Sequence, residues 1–284
     1  MEELKVCVDL NNDSNPNSLK FALFNSYKER DSNLFTDNYR AIIQSDTLTE
    51  QLLLDAKEHN DFDSLLFTKQ NTSDLIIELA VERGKLWANG RELKIKFLGG
   101  NDTLRSRVIF FARQWEEFAN IKFNFIESGD AEIRISFMMG MGSWSAVGTD
   151  ALNNTDQSKP TMNFGWLDDN TPDSEFSRVV IHEFGHCLGC IHEHQSPEAN
   201  ITWNKEVVYN YYKSTQTPPW DKNKVDHNIF NKFTSATVSN SVFDPNSIML
   251  YPIPKQFTTD GFSVGMNEVL SESDKNFIAK CYPR

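Results

Sequence analysis

Apolar and polar residues alternate along Leu93-Lys94-Ile95-Lys96-Phe97, which predicts a strand with one face buried. The alternation recurs over Lys122 to Ile126 and over Ala131 to Phe137, giving two further strands. Between the first two strands, Leu104, Val108, Phe111, Trp115 and Phe118 recur at helical spacing. They predict an amphipathic helix over 103–119 with that stripe in the core. Gly99-Gly100-Asn101-Asp102-Thr103 breaks the strand ahead of it and offers a cap. Thr161 to Trp166 reads as another short strand. At Thr171-Pro172-Asp173-Ser174-Glu175 a second helix begins: a Thr cap, Pro in the first position, acids in the first turn. It carries Val179, Val180, Phe184 and Leu188 inward. Residues 198–245, rich in Asn, Lys and Tyr, read as helix and loops. Pro252 and Pro254 then force an extended path, and Leu270 to Asp274 caps a last helix running to Ala279.

Residues 1–80 differ from this. Asn11-Asn12-Asp13-Ser14-Asn15-Pro16-Asn17-Ser18 is a loop cluster, and Leu48 to Lys57 is a short amphipathic helix around Leu52 and Leu53. The chain divides into an N-terminal extension, 1–80, and a globular unit, 81–284, of α+β class.

The chemistry concentrates on the second helix. Four of the six histidines lie between His182 and His194. His182, Glu183, His186, Gly189 and His192 have H-E-x-x-H-x-x-G-x-x-H spacing. Residues four apart on a helix share a face, so His182 and His186 can hold one metal ion. Gly189 can take the left-handed conformation that ends a helix, which lets His192 return as the third ligand. Three nitrogen ligands and an open position describe a catalytic zinc site, one ion per chain. Glu183 is placed to act as a base without ligating. Cys187 and Cys190 flank Gly189 and offer a competing sulfur site, but Cys187 falls off the ligand face and reads as a small buried hydrophobe. His194 is out of register for the same ion and reads as polar cleft lining.

Ser247-Ile248-Met249-Leu250-Tyr251 follows the turn cluster Asp244-Pro245-Asn246. The extended histidine motif with a later Met-containing turn is the metzincin signature. With Glu193 directly after the third His and Tyr251 two residues after Met249, the chain resembles the astacin family of zinc endopeptidases, and its microbial members in the run His192 to Pro197. The likeness extends from Lys85 to the C-terminus. It implies a two-lobed fold with a twisted five-stranded mixed sheet, an active-site helix, and Met249 as an apolar base under the zinc. It implies Tyr251 as an oxyanion donor, and Glu193 as an anchor for the N-terminus of the matured enzyme; a carboxylate orienting a ligand fits Glu193 equally. It further implies that Trp144, Ser145, Ala146 and Val147 form an edge strand that pairs with an extended peptide or protein substrate. The paired cysteines of animal members are absent, so the fold does not depend on those bridges.

A net charge of −12 and a pI near 5.0 argue against nucleic acid and anionic membranes as partners. No apolar run is long enough to span a membrane. The acidic start Met1 to Asp9 lacks the apolar region of a secretory signal. The expected protein is a monomer that works outside the producing cell, secreted or delivered. The extension has three readings: a propeptide covering the site, making the chain a zymogen; an export address; or a structural extension. As a propeptide it would bring Cys7 or Asp9 toward the metal, whereas pairing of Cys7 with Cys281 would tie the two ends of the chain together. Two other functions compete: a delivered effector protease with one protein target, and a silent binding module on the same fold.

Overall fold

A computed structural model describes Leu4, Lys5, Cys7, Glu29, residues 85–233 and residues 243–284. The expected helix at 48–57 and Asp9 lie outside the described residues.

Five strands form one sheet in the order β2-β1-β3-β5-β4. They are β1 (Glu92–Phe97), β2 (Lys122–Phe125), β3 (Ile133–Ser136), β4 (Trp144–Ser145) and β5 (Met162–Asn163). β1 pairs in parallel with β2 and β3, and β3 with β5; β4 alone runs antiparallel, along β5. Leu93 and Ile95 are fully buried while Glu92 and Lys94 are exposed, so the alternation in β1 marks its core face. β3 is buried at all four positions, as a strand flanked on both sides becomes.

Helix α1 (Asp102–Ala112) starts at Asn101, whose side chain accepts from the Leu104 amide. It does not run to 119. From Arg113 to Glu117 the chain tightens into a 3₁₀ helix. There the Trp115 indole donates to Ile181 O at 2.9 Å, and Glu116 accepts the amide of Phe123 at 2.6 Å. These contacts with the next helix and with β2 override the α-periodicity of the apolar stripe.

Helix α2 (Asp173–Cys187) is buried along most of its length. The Thr171 cap is not used: Thr171 Oγ instead closes the 168–171 turn, accepting from Asp168 N and donating to Asp168 Oδ1, both at 2.9 Å. Pro172 takes the cap position.

Helices α3 (Lys205–Thr215) and α4 (Lys222–Val225) follow, and α5 (Glu272–Cys281) closes the chain with a capping box of Ser271 and Asp274. Two apolar clusters define two lobes. One joins the sheet, α1, α2 and α5 through residues such as Ile95, Phe164, Phe184 and Ile278. The other joins α3, α4 and the 250–257 segment through Val208, Tyr212, Trp220 and Phe257. Met249 belongs to the first and Tyr251 to the second, so the chain crosses between the lobes at the Met-containing turn. Cys7 and Leu4 pack with the second lobe.

Candidate active site

The end of α2 shapes the site. Gly189 has φ of +95°, and two hydrogen bonds close the helix around it: Cys190 N to Gly185 O at 3.0 Å and Gly189 N to His186 O at 2.8 Å. This is a Schellman stop, in which the left-handed glycine reverses the chain. His192 is thereby carried back over the face that presents His182 and His186.

The three imidazoles converge. His186 Nε2 lies 3.2 Å from His182 Nε2 and 3.1 Å from His192 Nε2. Each opposite nitrogen faces an acceptor-only oxygen: His182 Nδ1 meets Ile248 O at 2.8 Å, His186 Nδ1 meets Cys190 O at 2.8 Å, and His192 Nδ1 meets Gln195 Oε1 at 3.2 Å. Each Nδ1 therefore carries the proton and each Nε2 a lone pair. Three lone pairs aimed at one point repel unless a cation lies between them. Tetrahedral coordination with Zn–N of about 2.0–2.1 Å puts ligand nitrogens roughly 3.3 Å apart, close to the spacing here. Burial first, and the neighbouring imidazoles second, push the pKa of His182 and of His192 well down, favouring the neutral form a metal needs. The donor set fits zinc.

A fourth donor comes from the other end of the chain. Cys7 Sγ and the three histidine nitrogens all lie within 4.8 Å of one another. Cys7 is buried, and its thiol donates to Glu183 Oε2 at 3.3 Å. The Tyr251 hydroxyl donates to the main-chain carbonyl of Cys7. The sequence leaves a Cys7–Cys281 pairing open; no disulfide joins them, and Cys7 packs against the histidines instead. Cys187 and Cys190 are buried among apolar groups, which drives both thiols far above the ordinary range and keeps them inert. Neither belongs to the metal-binding group among the described residues.

The Met-containing turn lies directly under α2. A Cβ on Gly185 would sit 2.4 Å from Met249 Sδ and 3.1 Å from the Trp115 ring, so only glycine lets the turn approach this closely. Glu193 ties the third-ligand segment to that turn: its amide donates to Met249 O at 3.1 Å and its Oε1 accepts the Asp244 amide at 2.9 Å. His194 does not line a cleft. It is buried, stacked on His192 and tilted against Tyr251, with Nε2 against Asn228 O at 2.8 Å. Its expected place failed because the 3₁₀ turn Glu193–Gln195 rotates it into the second lobe. Gln195, which the motif does not single out, orients His192 and is itself fixed by donating to His227 O at 2.8 Å. Its place three residues after a ligand was the one available signal.

β4 is an edge strand, only two residues long. Ala146 N donates inward to Thr161 O at 2.8 Å, so by pleat alternation Ser145 turns its main chain to the open side. Trp144 is half-buried; Ser145 and Val147 are buried. A pocket that Glu183 helps to line is also bordered by Arg178, Val179, Ile248, Tyr251 and Cys7. Arg178 there is held by Glu175 through contacts of 2.7 and 2.8 Å and donates to Lys5 O at 3.3 Å.

The family model for Astacin, a peptidase family, matches residues 81–280. Two structures of myroilysin are similar to this chain at 50% identity. One covers 72% of this chain and 98% of its own, with a TM-score of 0.69; the other covers 70% and 86%, with a TM-score of 0.56. Protein SpAN of Strongylocentrotus purpuratus is 28% identical over 144 residues, 48% of this chain. The chain spans 20% of that relative's length.

Proposed function

The chain belongs to the astacin family of peptidases, and from that premise we propose that it is a zinc endopeptidase held latent by its own Cys7. The observation that carries this is the convergence of three histidine Nε2 atoms and the Cys7 sulfur on one point, with Glu183 beside it.

His182, His186 and His192 hold the ion, each oriented through its Nδ1 by the partners described above. Zinc bound there supplies a Lewis acid that polarises the scissile carbonyl and acidifies water. Glu183 takes the proton from the attacking water and passes it to the leaving amine. The Tyr251 hydroxyl donates to the oxyanion as charge develops, where a fixed donor lowers the barrier most. The substrate lies extended, its backbone paired with the open side of Trp144 to Val147.

Latency follows from what Cys7 occupies. Its sulfur faces the three histidine nitrogens, its thiol donates to Glu183 and its carbonyl accepts the Tyr251 hydroxyl; were zinc bound, the thiol proton would pass to Glu183 and the sulfur would offer a thiolate. A substrate carbonyl needs the same three places. Thiolate is a strong zinc ligand, so the segment competes well with substrate. Residues 1–80 act as the propeptide and 81–284 as the enzyme; the match over 81–280 supports that division.

The test is zinc content and casein cleavage in four full-length chains: wild type, Cys7→Ala, Glu183→Ala and the double variant. The expected result is one zinc per chain in all four, with cleavage rising at least tenfold in Cys7→Ala and absent with Glu183→Ala. A folded wild type without zinc would overturn the enzyme reading. Wild type as active as Cys7→Ala would overturn latency alone.

A further inference from the structure

We propose that Asp274, on the last helix, is a positioning residue for the metal centre: it fixes the carbonyl that orients His182. The inference rests on the zinc reading above.

Asp274 is 8% exposed. Its Oδ1 accepts the Ser247 hydroxyl at 2.7 Å, and its Oδ2 accepts the amides of Ile248 at 2.8 Å and Ser271 at 2.9 Å. Ser247 Oγ in turn accepts the Met249 amide at 3.1 Å. The Met249 N–H and the Ile248 C=O belong to one planar peptide unit, so holding the first sets the direction of the second. That carbonyl is the one that accepts His182 Nδ1–H at 2.8 Å. A continuous path therefore runs from the Asp274 carboxylate through Ser247 and one peptide plane to the first ligand. Charged acceptors strengthen such a path, and the surrounding burial keeps water from replacing it.

Helix capping explains only part of this. The capping box needs one Asp274 oxygen for the Ser271 amide. The contacts to Ser247 and Ile248 lie outside the cap and point at the Met-containing turn. A helix cap and a metal-positioning role thus make different predictions for different variants.

The test uses the full chain and reads zinc affinity by chelator competition and the visible bands of the cobalt-substituted protein, with far-UV dichroism as the check on folding. Asp274→Ala and Ser247→Ala are each expected to weaken zinc binding ten- to a hundredfold and to shift the cobalt bands. Ser271→Ala, which removes the cap hydroxyl and leaves the path intact, is expected to lower the thermal midpoint with zinc affinity and bands unchanged. A folded Asp274→Ala that binds zinc like wild type overturns the proposal, and so does an equal loss in Ser271→Ala. If Asp274→Ala does not fold, Ser247→Ala decides alone. A folded wild type that takes up no zinc fails the enzyme reading instead.

Discussion

The Tyr251 hydroxyl donates a hydrogen bond to the main-chain carbonyl of Cys7, across 244 positions of sequence. The sulfur of that same Cys7 faces Glu183 and the three histidines. One residue of the N-terminal segment thus engages Glu183, Tyr251 and the three histidines together. Neighbouring contacts hold it there: Leu4 N donates to the Tyr211 hydroxyl at 2.6 Å, and Arg178 donates to Lys5 O.

If Cys7 ligates the metal, the cobalt-substituted full chain will show a sulfur-to-metal charge-transfer band in the near ultraviolet. Cys7→Ser is expected to abolish that band while one cobalt per chain remains. A band that persists in Cys7→Ser would assign the sulfur elsewhere.

Tyr251→Phe removes one hydroxyl and keeps the ring that packs at 4.3 Å from His192. In the Cys7→Ala background it should lower kcat by about 10²-fold with KM little changed, the size expected for loss of one oxyanion donor. Glu183→Gln should cost considerably more, because it removes the base that takes the proton from water, whereas Tyr251 only steadies developing charge. Steady-state kinetics on one peptide substrate checks both, and equal losses would give Tyr251 a larger role.

Gly185→Ala places a methyl group against Met249 and Trp115, both almost fully buried. Overpacking of this kind costs about 1–3 kcal/mol. Urea unfolding should show that loss, and Met249→Ala in the same chain should recover part of it. An unchanged midpoint would mean the turn can retreat from α2.

Acid stability should depend on Glu175. Burial works to raise its pKa, but hydrogen bonds and charge from Arg178, with the Trp166 indole, bring it below the ordinary value. The native state therefore binds fewer protons than the unfolded state as pH falls below the ordinary glutamate range. The stabilisation is present above that range and is lost as pH drops through the folded pKa. Glu175→Gln should flatten that acid limb, with a difference of about 1 kcal/mol or less at neutral pH, as for a partly exposed ion pair. Urea titrations between pH 3 and pH 7 (about four units, chosen to bracket ordinary carboxylate values) would show it; parallel curves for both chains would contradict the assignment.

Sequence alone determined what local geometry encodes. His182 and His186 share a face because the helix repeats every 3.6 residues, and Gly189 brings in His192 because a left-handed stop needs no Cβ. The cap of the last helix at Ser271 and Asp274 and the alternation of β1 were legible for the same reason, as patterns over a few neighbouring residues, whereas Met249 was legible through the family resemblance. Tertiary structure decided the rest. The 103–119 stripe breaks at Arg113 because Trp115 and Glu116 find partners on α2 and β2. His194 turns inward because Asn228 O and the Tyr251 ring await it. Cys7, whose partner the sequence left undecided, sits with the histidines, and Asp274 reaches past its own cap to the turn beneath His182. No short-range periodicity carries such contacts. They arise when buried polar groups far apart in the chain must satisfy one another once water is excluded.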